Sequence, residues 1–140
     1  MKNVIHLEVS FDLVIKPENY KGYEFLRTVA DFLYITNRNY LYEVEVKISI
    51  ADFRADQKKT KYHDHPDVKG FYYFVSNELY SKHKDEIKTT CKEKGAGLIV
   101  DGCPIATVLK PKIRKDVKPL TDNGYIHYLR LFAKKWVRQR

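Results

Sequence analysis

An α/β (α+β) fold, a mixed central β-sheet flanked by helices, is predicted by three observations. The elements read from the chain run β-β-β-α-β-α-β-β-α, an order that suits a mixed sheet with helices packed on it. The run Phe71-Tyr-Tyr-Phe-Val75 is apolar without interruption, as expected of a strand buried on both faces between helices. The segment Leu41-Tyr-Glu-Val-Glu-Val-Lys-Ile48 alternates strictly instead, so one face carries Glu43, Glu45 and Lys47 and the other Tyr42, Val44, Val46 and Ile48.

Taken in order, residues 4–15 read as a first strand, with Ile5, Leu7 and Val9 alternating against His6, Glu8 and Ser10. Residues 16–24, with Pro17 and Gly22, read as a polar turn region. Residues 29–36 form the second strand and residues 37–39 (Asn-Arg-Asn) a turn that tolerates left-handed backbone. That turn pairs the second strand with residues 41–48 as a hairpin. Ser49, with Asp52 three residues on, caps a helix that runs to Tyr62 and stops at His63-Asp-His-Pro66. After the strand at 71–75, Ser76 or Asn77 caps a short helix at 78–82, followed by another at 84–94 that Gly95 and Gly97 end. A strand at 98–100 turns through Asp101-Gly102 into residues 104–109. Residues 110–119 are a basic, Pro-bounded connector. Thr121 or Asp122 caps a last helix with Ile126, Leu129, Phe132, Ala133, Trp136 and Val137 on its apolar stripe.

The 140 residues suffice for a single domain spanning 1–140, and their 44% hydrophobic and 31% charged composition is that of a soluble globular protein. No run approaches the ~20 apolar residues of a membrane span, and no leader opens the chain. A cytoplasmic, intracellular setting is therefore expected, with Cys91 and Cys103 as reduced thiols. The net charge of +8 is local: residues 110–140 hold ten Lys or Arg against Asp116 and Asp122, and the rest of the chain balances. Such a block favours a polyanionic partner, nucleic acid before membrane.

Functional expectation centres on the alternating strand. Its charged face is ordinarily the wet side of an antiparallel sheet, with cross-strand charge pairs. An enclosed sheet would instead bury these charges, which is costly unless they are paired or bind a metal. Asp31 heads the apolar run Phe32-Leu-Tyr-Ile35 on the neighbouring strand, within reach of Glu45. An Asp on one strand and Glu-x-Lys on the next make an oxygen-rich, metal-ready cluster with an ammonium beside it, as phosphodiester hydrolysis requires.

Asp31, Glu45-Val46-Lys47 and the following Ser49-Ile-Ala-Asp52-Phe53-Arg-Ala-Asp56-Gln-Lys58-Lys59 resemble the PD-(D/E)XK nuclease superfamily, closest to small stand-alone members akin to DNA-repair and phage-like proteins. The resemblance runs from about residue 5 to about residue 137. It implies a restriction-endonuclease-like core, with Asp31, Glu45 and the Val46 backbone carbonyl as ligands of Mg²⁺ or Mn²⁺ and with Lys47 serving the attacking water. It also implies DNA as partner, a bacterial or phage-encoded origin, and a homodimer, since relatives are frequently dimeric. Two departures stand out. Ala30 replaces the usual Pro, and a strand opens the chain where relatives carry a helix.

Other residues are secondary. Glu43 shares the charged face as a third acid or a rim salt bridge, and Ser49 is an accessory candidate at the strand end. Gln57, Lys58, Lys59 and Tyr62 could meet phosphates or simply face solvent, as could Lys134, Lys135 and Arg138 on the last helix. His63, Asp64 and His65 resemble a metal cluster, but adjacent side chains before a proline rarely converge. Tyr72 or Tyr73 could stack on a base. The alternatives to a nuclease are a catalytically inactive nucleic-acid-binding module of the same fold and an assembly partner whose basic tail docks on acidic protein.

Overall fold

In the computed structural model the described residues are 5–7, 11–15, 26–30, 32–58 and 66–138, with side chains described for 33–58, 66–131 and 133. The elements are β1 (Ile5–Leu7), β2 (Phe11–Ile15), β3 (Leu26–Ala30), β4 (Phe32–Ile35), β5 (Leu41–Lys47), α1 (Ile50–Asp56), β6 (Val68–Ser76), α2 (Asn77–Lys94), β7 (Gly97–Asp101), β8 (Ala106–Leu109) and α3 (Asp122–Arg138). The fold is of the α+β class: β1-β4-β5-β6-β7-β8 form a six-stranded mixed sheet, and β2 pairs with β3 separately.

The β4–β5 hairpin forms as the Asn-rich turn predicts. Asn39 takes a left-handed φ of 63°, and its N–H donates to Thr36 O at 2.9 Å. The first strand read from the sequence is two strands, because β1 pairs with β4 whereas β2 pairs with β3. Odd-numbered apolar residues continue through both pieces, so the alternation shows no break. The second predicted strand likewise divides into β3, which makes a hairpin with β2, and β4.

β5, β6 and β7 are parallel, joined by crossovers that contain α1 and α2. Crossovers between parallel strands are right-handed, so two successive ones advancing in the same direction put their helices on the same face. Phe53 of α1 and Leu79, Ile87 and Cys91 of α2 pack there on Phe71, Tyr73, Val75, Leu98 and Val100. Tyr128 of α3 joins Leu33, Ile35, Leu41 and Val68 beside them, on the same face. Thus all three described helices cover one side of the sheet, where the sequence suggested both. β6 shows the consequence: Phe71, Tyr73 and Val75 are buried, whereas Tyr72 and Phe74 opposite are only half-buried.

β6 also begins earlier than its apolar run. Gly70 lies within it because a Cβ there would come 2.7 Å from the Tyr42 ring. The two helices expected at 78–82 and 84–94 form one element bent at His83, whose φ of −132° and ψ of 32° are not helical. Ser76 caps α2 by accepting from Leu79 N–H at 3.1 Å. Gly95 ends it in the left-handed conformation, φ 71°, that glycine adopts without steric cost. Thr121 Oγ1 accepts from Gly124 N–H at 3.1 Å at the start of α3.

Of the apolar stripe predicted for α3, Leu129 packs against the core, Ile126 and Ala133 are exposed, and the side chains of Phe132, Trp136 and Val137 lie outside the described residues. Tyr128 is fully buried, and Tyr125 and Leu131 pack against the core. Tyrosine carries this face because its hydroxyl has a partner: Tyr128 donates to Asp67 Oδ2 at 2.7 Å. Among the described residues, no helix is long and apolar enough to cross a membrane.

Candidate active site

Alternation along β5 sends Leu41, Glu43, Glu45 and Lys47 to the helix-covered face, and all four are buried. Register sets Glu43 between Leu33 of β4 and Phe71 of β6, and Glu45 beside Tyr73. Glu43 is 1% exposed, so it lies inside the protein and not at the rim. Glu45 and Lys47 are 5% and 4% exposed. Lys47 Nζ donates to Glu45 Oε1 at 3.2 Å. The two side chains that the Glu-x-Lys spacing points to thus meet at the carboxyl end of a central strand.

The chain then turns at once into α1. Ser49 is exposed and its Oγ accepts from Asp52 N–H at 3.1 Å, so this accessory candidate acts as the helix cap. The helix runs back over the strand and brings two further acids to the lysine. Asp56 Oδ1 lies 3.5 Å and Asp52 Oδ1 3.8 Å from Lys47 Nζ. These acids are four residues apart, hence on one helix face. The Asp52 side chain is 45% exposed, so the cluster reaches solvent along this edge.

Asp56 is fixed from its far side. Tyr73 Oη donates to Asp56 Oδ2, and Gln57 Nε2 and Lys94 Nζ donate to Tyr73 Oη at 3.2 and 3.4 Å. Phe53 meets the Tyr73 ring edge-on at 5.0 Å, which locks α1 against β6. The polar chain Glu45–Lys47–Asp56–Tyr73–Lys94 therefore links two strands and two helices, β5, α1, β6 and α2, from buried Glu45 out to exposed Lys94. Sequence reasoning assigned no role to Asp56 or Lys94, and offered Tyr73 as a base-stacking residue, which its complete burial against α1 excludes. The available signal was Asp52 and Asp56 at helical spacing directly after Glu-x-Lys.

Electrostatics decides what Lys47 can do. Burial alone would lower its pKa, but the carboxylates of Glu45, Asp56 and Asp52 more than offset this, and the net shift is upward. The ammonium stays charged at neutral pH, so Lys47 donates hydrogen bonds and positive charge and is no general base. Burial, then the neighbouring Asp56, pushes the Tyr73 hydroxyl upward as well, which keeps it a donor.

Not every sequence candidate falls within the description. Asp31, Lys59, Tyr62, His63, Asp64 and His65 lie outside the described residues. The β4–β5 ladder is described as far as Phe32 opposite Val44. Val46 separates Glu45 from Lys47, and its half-exposed side chain points to the other face, beside Phe74. Lys58 is exposed in the turn after α1. Lys134, Lys135 and Arg138 belong to the last turns of α3, with side chains outside the description.

The donors gathered here are oxygens, and buried carboxylates outnumber the ammonium, a chemistry that suits a hard cation such as Mg²⁺ or Mn²⁺. Among the described residues, no three His, Cys, Asp or Glu groups converge closely enough to hold a metal ion.

No protein-family model and no curated protein matches the chain. Among solved structures it is similar to the SPO1766 protein of unknown function from Silicibacter pomeroyi, with a TM-score of 0.58 and 16% identity over 97% of this chain and 76% of that one. This likeness is one of fold alone.

Proposed function

We propose that the protein is a metal-dependent nuclease that hydrolyses DNA phosphodiester bonds on a restriction-endonuclease-like core of the PD-(D/E)XK type, in a repair or phage-like setting. The observation that carries this reading is the buried Glu45–Lys47 pair, 3.2 Å apart at the carboxyl end of β5 and followed directly by the helix that supplies Asp52 and Asp56. Asp31, Glu45 and the Val46 carbonyl would hold Mg²⁺ or Mn²⁺. Bound there, the ion would neutralise a phosphate and lower the pKa of a coordinated water. Lys47, charged and 3.8 Å from half-exposed Asp52, would donate to a phosphate oxygen and stabilise the negative charge that develops in the transition state. Its raised pKa leaves proton acceptance to a carboxylate. Asp56, held by Tyr73, keeps the ammonium in place between turnovers.

Cleavage of plasmid, single-stranded and branched DNA with Mn²⁺ tests this reading. Asp31→Ala, Glu45→Ala and Lys47→Ala should each lower the rate by about 100-fold or more, the scale of removing one charge-stabilising group. Wild-type protein that cleaves none of the three substrates would refute it. The near-complete burial of Glu45 and Lys47 favours one second reading, an inactive nucleic-acid-binding module on the same fold. DNA binding would then survive all three substitutions and still fall steeply with salt.

A further inference from the structure

The densest basic segment of the chain is not a loose tail. Residues 110–120 carry Lys110, Lys112, Arg114, Lys115 and Lys118 against Asp116 alone. Their backbone is tied to the sheet along its whole course: Lys112 N–H donates to Gly95 O at 2.9 Å, Arg114 N–H to Lys69 O at 3.0 Å, and Leu120 N–H to Asn39 O at 2.7 Å. Lys69 Nζ donates in return to Val117 O at 3.1 Å. Pro111 and Val117 point inward and are buried, which turns Lys110, Lys112, Lys115 and Lys118 out to solvent. Gly95, Lys69 and Asn39 stand at or just before the starts of β7, β6 and β5, so the segment crosses the amino ends of the three parallel strands. Lys47 is at the opposite end of β5, about 20 Å away at ~3.3 Å per residue.

We propose that residues 110–120 form a second nucleic-acid-binding surface, a fixed basic strap that grips the phosphate backbone of duplex DNA at the amino ends of the parallel strands, remote from Glu45 and Lys47. Among the described residues, none of the four exposed lysines is in an ion pair; only Arg114 is, with Asp116. Exposed Arg38 and Lys92 extend the basic edge on either side, with Glu93 as the acidic neighbour. Because the backbone is held, these side chains reach a ligand without the entropic cost of ordering a loop. A duplex presents about one negative charge per 1.7 Å of axis, so several ammonium groups find phosphates at once and release counterions. A membrane surface is the poorer match. Interfacial binding needs a broad apolar face to bury, and the strap exposes only Ile113, at 41%, and Pro119.

This surface shares its partner class with the proposed function but none of its residues, and its test needs no cleavage. Fluorescence anisotropy of the full chain on a labelled duplex, without divalent metal, is measured across a salt series for two variants of equal charge change. One carries Lys110→Ser, Lys112→Ser and Lys115→Ser; the other carries Lys82→Ser, Lys84→Ser and Lys88→Ser on α2. The strap variant should bind at least about tenfold more weakly and show a salt slope shallower by roughly 2.7, at about 0.9 per lost phosphate contact. The α2 variant should stay within about twofold of wild type, and both should keep the wild-type circular dichroism spectrum at the temperature of the measurement. Equal weakening by the two variants, an unaffected strap variant, or retention by anionic vesicles but not by duplex would each overturn the proposal. Loss of nuclease activity in the Glu45→Ala variant with intact strap binding would leave it standing.

Discussion

Lys47 is the residue on which the site turns, since its ammonium is 4% exposed and lies against three carboxylates. Removing one partner from such a cluster leaves the remaining charges uncompensated, at a cost of about 3–5 kcal/mol. Lys47→Met should therefore lower unfolding free energy in urea by about 3 kcal/mol, and a change under 1 kcal/mol would mean that the carboxylates do not depend on it. Alkaline pH probes the same seam. Tyr73 is raised above its ordinary 10.0 and Lys47 above 10.5, so the unfolded chain gives up these protons before the native protein does. Their stabilising contribution is complete below about pH 10 and is lost as pH rises, by about 1.4 kcal/mol per pH unit for each group. Tyr73→Phe should make the decline of stability shallower by one such increment; an unchanged slope contradicts the assignment. Glu45 and Lys47 were legible because a period of two fixes which side chains share a strand face. Asp56 and Tyr73 were not, because their meeting depends on how α1 settles on β6, and no local pattern encodes that.

At the scale of elements, caps and close approaches decide the boundaries. Ser76→Ala removes the acceptor for Leu79 N–H and should cost about 1 kcal/mol in thermal melting. Gly97→Ala should cost more, about 1–3 kcal/mol, because a Cβ would sit 2.5 Å from the Tyr72 ring. A melt in which Ser76→Ala is the worse of the two would show that the Tyr72 contact is looser than it stands here. The β4–β5 hairpin and the α2 cap could be read from turn and capping residues, whereas the tight turn expected at Asp101-Gly102 is a longer connection, since Asp101 belongs to β7 and β8 starts only at Ala106. The division of residues 4–15 into β1 and β2 could not, since the alternation keeps its phase and only the choice of pairing partner separates them. On α3 the expected stripe left out Tyr125 and Tyr128, whereas Tyr128 satisfies its hydroxyl on Asp67 and occupies the core.

Over the whole molecule, one-handed crossovers put α1 and α2 on the face that bears Glu43, Glu45 and Lys47, and the packing of Tyr128 brings α3 to the same face. This explains how charges on a strand that reads as half-wet come to be enclosed. The mixed sheet and its helices followed from element order and burial patterns. Which face they cover did not, because it depends on the direction in which successive parallel strands are added. The acidic cluster and the basic strap end up at opposite ends of the same strands, a polarity invisible in the net charge of +8. Titration calorimetry with Mn²⁺ on wild type and Glu45→Gln tests the central claim most directly. Wild type should bind with measurable heat at micromolar to millimolar Mn²⁺ and Glu45→Gln should not. No binding by the wild type, or equal binding by both proteins, would contradict a metal-dependent centre at Glu45 and Lys47.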